Sequence, residues 1–192
     1  MIRTASKVIA ISFVFLPLAI LAQDKIAAFA GSPGCGDDAV KFEVKTDKGQ
    51  HPAKPEAGKA LVYFIEDDSN FNSMPKPTTR AGLDGNWVGA THGNSVLYFS
   101  VDPGVHHLCA SWQFGGSHSF AGILLGVSSG QDGKVAAMRF IAEAGGVYYF
   151  KVKNIYFTTD STPRVDMSLN ALDSDEGQLL ANKFALSIAK KK

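Results

Sequence analysis

The chain has 192 residues, with 19 lysines and arginines, 18 aspartates and glutamates, 45% hydrophobic residues and two cysteines. That length supports one domain with its own core. The near-zero charge offers no bulk attraction to nucleic acid or to an anionic membrane, so neither is an expected partner.

The first predicted element is an export signal. In "MIRTASKVIAISFVFLPLAILAQDK", Arg3 and Lys7 precede an apolar run from Val8 to Leu21. Ile20 and Ala22 stand at the −3 and −1 positions of a small-residue cleavage site, which predicts a signal peptide over residues 1–22 with cleavage after Ala22. The run is short for a bilayer span of about 20 residues, and no later stretch reads as one, so no membrane span is expected in the mature chain. Cleavage removes two basic and no acidic residues, leaving 170 residues with 17 basic against 18 acidic, a formal charge of −1. The expected location is the periplasm or outside the cell. An oxidising compartment favours a disulfide between Cys35 and Cys109. Closing so long a loop is worth about 4.5 kcal/mol on the chain-entropy account. Two free thiols are the alternative.

Residues 23–57 read as an N-terminal segment with one strand and a linker. In it, "VKFEVKT" (Val40 to Thr46) alternates, with Val40, Phe42 and Val44 on one face. A β-sandwich domain over 58–192 follows. "KALVYFIE" (Lys59 to Glu66) is almost continuously apolar and predicts a central strand. Asp67-Asp68 then opens a polar loop, where both carboxylates are expected to be solvated; a cation bound to the pair is the alternative.

"RAGLDGNWVGA" predicts two short strands around a tight Asp84-Gly85 turn. "SVLYFSV" (Ser95 to Val101) is the next strand. Asp102-Pro103-Gly104 turns the chain into the returning strand "VHHLCASW" (Val105 to Trp112). The glycine-rich stretch Phe114 to Gly133 reads as a loop and as the expected contact region, because long loops often carry function. Two strands joined at Ala144-Gly145-Gly146 follow, then the alternating "RVDMSLNAL" (Arg164 to Leu172). A short C-terminal helix starts with Asp173 as N-cap and Glu176 three residues on. Gly177 weakens it by about 1 kcal/mol relative to alanine. "FALSIA" reads as a last strand or an extended tail. The fold class is mainly β, an antiparallel β-sandwich with one short helix.

The chemistry-bearing residues are few. Strand alternation puts Val105, His107, Cys109 and Ser111 on one face and His106, Leu108, Ala110 and Trp112 on the other. The adjacent histidines therefore cannot chelate one metal together. His107 is the one metal-ligand candidate there, but zinc needs at least three protein ligands, and spacing marks no third. His51, His92 and His118 read as surface histidines. Gly126-Val-Ser128-Ser-Gly130 has the outline of a hydrolase elbow without its strand–turn–helix setting. "DSDEG" (Asp173 to Gly177) fits a helix cap better than a calcium loop, since the twelfth position from Asp173 is Phe184 rather than glutamate. Exposed aromatics on strands are the remaining option, and one of Tyr148 and Tyr149 is expected to face outward. No cofactor is expected.

"GKALVYFIEDD", "TTRAGLDGNWVGA", "VLYFSVDPGVHHLCASW" and "FIAEAGGVYYFKV" follow one another over roughly Gly58 to Val152. In that order they resemble the bacterial family catalogued as domain of unknown function 2846. The matching motifs are Leu83-Asp84-Gly85, Pro103-Gly104-Val105-His106 and Gly145-Gly146-Val147-Tyr148-Tyr149. The resemblance implies a small exported β-sandwich protein with no known enzymatic activity, and it makes His106 part of a fold-defining turn. The chain departs from the pattern in lacking a lipid-attachment cysteine and in its glycine-rich insertion. The expected function is a non-enzymatic envelope or extracellular module that binds protein or glycan. A histidine-based metal protein is the alternative, and a hydrolase centred on Ser128 the third.

Overall fold

The chain is described by a computed structural model covering residues 35–49, 54–71, 76–113, 135–159 and 162–192, with the backbone alone over 156–165. The strands run β1 (Phe42–Asp47), β2 (Ala60–Asp67), β3 (Thr78–Leu83), β4 (Asn86–His92), β5 (Ser95–Val101), β6 (Gly104–Gln113), β7 (Val135–Ala142), β8 (Val147–Thr159) and β9 (Thr162–Leu172). The helix α1 (Ser174–Lys183) and strand β10 (Ala185–Lys191) complete the chain. The export signal, the glycine-rich stretch Phe114 to Gly133, Ser128, His51 and His118 lie outside the described residues.

The strands form a six-stranded sheet, β1-β10-β5-β2-β8-β9, and a four-stranded sheet, β4-β3-β6-β7. The fold is a β-sandwich, as the strand spacing predicts. It is not wholly antiparallel, however. β2 pairs with β8 in parallel from Leu61 to Asp67, and β10 meets β5 in parallel at Ala185 and Leu186. The cause is where the chain changes sheets. The turns after β5 and β7 both cross between sheets at the end where β2 begins, so β8 sets out in the direction of β2.

β2 is buried on both faces, which explains its unbroken apolar run. Ala60, Val62 and Phe64 face the inter-sheet core with Ala81, Leu108, Ala110, Trp112, Phe150 and Val152. Leu61, Tyr63 and Ile65 face the other way with Val96 and Tyr149, beneath Leu180, Ala181 and Phe184 at the helix end. Tyr149 stacks on Tyr63 at 5.0 Å, and Tyr148 packs half-buried against the inter-sheet core, so neither tyrosine is free at the surface. α1 opens as the sequence predicts, with Asp173 Oδ1 accepting from Glu176 N at 2.8 Å. Gly177 has a packing reason that outweighs its low helix propensity. A Cβ there would lie 2.2 Å from Tyr149 Cγ, so only glycine lets the helix sit on the tyrosine.

Residues 35–41 form a strap on the outer face of the small sheet. Cys35 is bonded to Cys109 with a Cα–Cα distance of 5.8 Å. Arg80, stacked 4.1 Å above Trp87, donates to the Val40 carbonyl at 3.1 Å, and Trp87 Nε1 donates to the Asp37 carbonyl at 2.8 Å. Val40 is thereby drawn out of the predicted strand, which starts at Phe42 instead. Gln113 then bonds both the N–H and the carbonyl of Phe42, and β1 pairs with β10 as an edge strand of the large sheet.

Candidate functional site

Two polar clusters stand out, at opposite ends of the sandwich. The first lies between the sheets where β2 ends. Alternation along β2 puts Glu66 on the same inward face as Val62 and Phe64, and Glu66 is fully buried. Its Oε1 accepts from Thr79 Oγ1 and, at 2.8 Å, from Asn154 Nδ2. The same nitrogen reaches Asp68 Oδ1 at 2.7 Å and Thr79 Oγ1 at 3.2 Å. Trp112 Nε1, which can only donate, fixes the amide by bonding Asn154 Oδ1 at 2.7 Å. The amide must therefore turn its two hydrogens toward three acceptors.

Glu66 Oε2 and Asp68 Oδ2 are left buried without a hydrogen-bond partner. Burial, and then the neighbouring Asp68 charge, push the Glu66 carboxyl well above the usual carboxylate range against the pull of Thr79, Thr91 and Asn154. Burial likewise raises Asp68, against Asn154, Lys76 and His92. The pair is built to hold a proton. A cation fits poorly, because the amide presents hydrogens rather than lone pairs to the gap. Among the described residues no three His, Cys, Asp or Glu side chains gather as a metal site.

This corrects the solvated Asp67-Asp68 expected from the sequence. Asp67 is half-buried and accepts from Ser69 N at 3.0 Å, while Asp68 is 1% exposed. The Asp68 N–H donates to Asn94 Oδ1 at 2.8 Å, and that bond holds the residue at the sheet end with its carboxyl under Asn154. The alternation of "ALVYFIED" was the available signal for Glu66, since it puts a carboxyl in the apolar row. Asn154, Thr79 and Trp112 had no signal linking them.

The second cluster joins two turns at the other end. Asp84 and Gly85 both have positive φ, 49° and 80°, which is the type I′ hairpin that Asp-Gly favours. That conformation aims the Asp84 carboxylate at β6. Oδ1 accepts from His107 N at 2.8 Å, and Oδ2 meets His106 Nδ1 at 2.7 Å. The other ring nitrogen, Nε2, lies 2.7 Å from the Asp102 carbonyl. The His106 side chain is only 12% exposed and its ring packs 5.5 Å from Phe140. Partial burial works against its charged form, but Asp84 and the Asp102 carbonyl outweigh it, and His106 is held above the usual histidine range. Burial similarly opposes Asp84 ionisation, but His106 and the His107 N–H pull its carboxyl below the usual range.

The two histidines do point apart. His107 has a side chain 61% exposed, with Nδ1 4.0 Å from Asp84 Oδ1. Cys109, on the face of His107, is bonded to Cys35 and so is neither a ligand nor a nucleophile. His92 Nδ1 lies 3.3 Å from Thr78 Oγ1 and is not brought to either histidine.

Comparison with known proteins gives no match to any family model, any curated protein or any solved structure.

Proposed function

We propose that this chain is an exported, non-enzymatic β-sandwich module that binds a protein or glycan in the cell envelope or outside the cell, as a member of the domain of unknown function 2846 family would. One observation carries the reading: Cys109, His106 and the buried acid pair, the groups best placed for chemistry, are taken up by the fold. Cys109 is bridged, His106 has both ring nitrogens occupied, and Glu66 and Asp68 are closed between the sheets. Large apolar side chains reach solvent instead. Val105 (46% exposed) and Ile141 (64%) are cross-strand neighbours on β6 and β7, and this pair is the contact surface we assign. The disulfide supports an oxidising compartment, and the leader sequence supports export. No helix among the described residues is long and apolar enough to cross a membrane.

The test uses the secreted, disulfide-bonded chain with purified peptidoglycan sacculi, a glycan array and cross-linking in intact cells. Saturable binding that Ile141→Asp weakens at least tenfold supports the reading. Turnover of an ester or glycoside that Ser128→Ala abolishes overturns it.

A further inference from the structure

His106 has a proton requirement that can be read from its partners alone. Asp84 Oδ2 and the Asp102 carbonyl oxygen can only accept hydrogen bonds when Asp84 is ionised, and each lies 2.7 Å from a different ring nitrogen. A neutral imidazole has one N–H and can satisfy one of them. Both bonds together require the imidazolium.

The two partners belong to different turns. Asp84 sits in the β3–β4 turn and Asp102 in the β5–β6 turn, which crosses between the sheets. We propose that Asp84, His106 and the Asp102 carbonyl form a pH-sensitive latch that ties these two turns together and opens when His106 loses a proton. The proton leaves to solvent from one ring nitrogen. The remaining N–H stays with Asp84, because the charge-assisted bond is the stronger. Nε2 then turns a lone pair toward the Asp102 oxygen, and two acceptors at bonding distance repel. The β5–β6 turn is released, while the β3–β4 hairpin keeps its exchange of bonds with His107 (Asp84 N to the His107 carbonyl, 3.0 Å; His107 N to Asp84 Oδ1, 2.8 Å).

The charged surroundings favour the closed state. Asp84 faces the ring from the β3–β4 turn and Asp102 from the β5–β6 turn, and β7 offers the uncharged Phe140. His107 on β6 and its cross-strand neighbour Arg139 on β7 lie on the opposite face of the sheet. The latch does not depend on what the module binds.

The experiment is an NMR titration of the disulfide-bonded chain with 15N-labelled histidine. Both His106 ring nitrogens are expected to carry hydrogen below a titration midpoint that lies above that of histidine in an unstructured peptide. The His107 amide should keep its protection through that midpoint. The amide of Gly104 should broaden or shift with it as the turn is released. A midpoint at or below the peptide value overturns the proposal, and so does a midpoint that leaves the β5–β6 turn signals unmoved. Asp84→Asn keeps an acceptor and removes the charge, so the His106 midpoint should fall toward the peptide value; an unchanged midpoint overturns the role of Asp84. If Asp84→Asn does not fold, the unmodified protein's titration still decides.

Discussion

The carboxyl pair between the sheets and the histidine latch between the turns pose the same problem with opposite solutions. Each gathers more acceptors than its neighbours have hydrogens. At Glu66 and Asp68 burial outweighs the pull of Lys76 and His92, so the shortage favours a proton retained on the acids. At Asp84 the shortage is met by a positive ring, and the acid stays ionised. The difference follows from solvent. Two charges closed between sheets would carry the full desolvation penalty, whereas Asp84, with 43% of its side chain exposed, stays hydrated while it binds His106. Burial decides which partner is protonated.

The sharpest way to break this comparison is at Asn154, the one amide that serves both buried acids and Trp112. Asn154→Leu should cost about 3–5 kcal/mol in denaturant unfolding, because it strands buried polar groups on three elements. A loss under about 1 kcal/mol would mean the cluster is not a structural unit. Glu66→Gln should do the reverse. It removes the ionisable partner and keeps the shape, so at pH 8 it should stabilise by on the order of 1–3 kcal/mol. At pH 4, where the acid is already protonated, the change should be within about 0.5 kcal/mol.

The pH profile separates the two ends. Glu66 and Asp68 are raised in the folded chain, so folding binds extra protons there, and stability should fall as pH rises above about 4, the ordinary carboxylate value. His106 is also raised, so its contribution is complete below about pH 6.5 and is lost as pH climbs through its folded value. Asp84 is lowered, so its contribution is present above about pH 4 and is lost as pH falls through its folded value. Unfolding free energies measured from pH 3 to 10 should show both alkaline-side declines. Glu66→Gln should shrink the lower one to the share of Asp68, and His106→Gln should remove the upper.

His106→Gln itself should cost about 1 kcal/mol at pH 6, reduced by the exposure of Asp84, and much less once the ring of the unmodified protein is neutral. The smallest effect belongs to the helix surface, where Lys151 pairs with Glu176. Glu176→Gln should shift stability by about 0.5 kcal/mol or less, and high salt should erase the difference.

How much of this was legible in the sequence depends on the range of each interaction. Asp84-Gly85 announced its turn because two residues with positive φ are a local requirement. Asp173 announced the helix start because a cap bonds its own first turn. The apolar run of β2 announced a strand covered on both faces. The disulfide was legible from the cysteine count and the export signal expected at the N-terminus. By contrast, Asp68 read as solvated because the residues that bury it, Asn94 and Asn154, lie 26 and 86 positions away. The parallel β2–β8 pairing was hidden for a related reason: it depends on which turns cross between sheets. Gly177 read as a flaw in a helix until Tyr149 lay beneath it.

The sequence by itself therefore determined the strands, the turns, the helix cap and the opposite facing of His106 and His107, all of which depend on neighbours within a few residues. The tertiary structure decided the protonation chemistry. Whether a carboxyl or an imidazole keeps its proton depends on the solvent it loses and the partners it gains, and at both ends of this sandwich those partners come from distant strands.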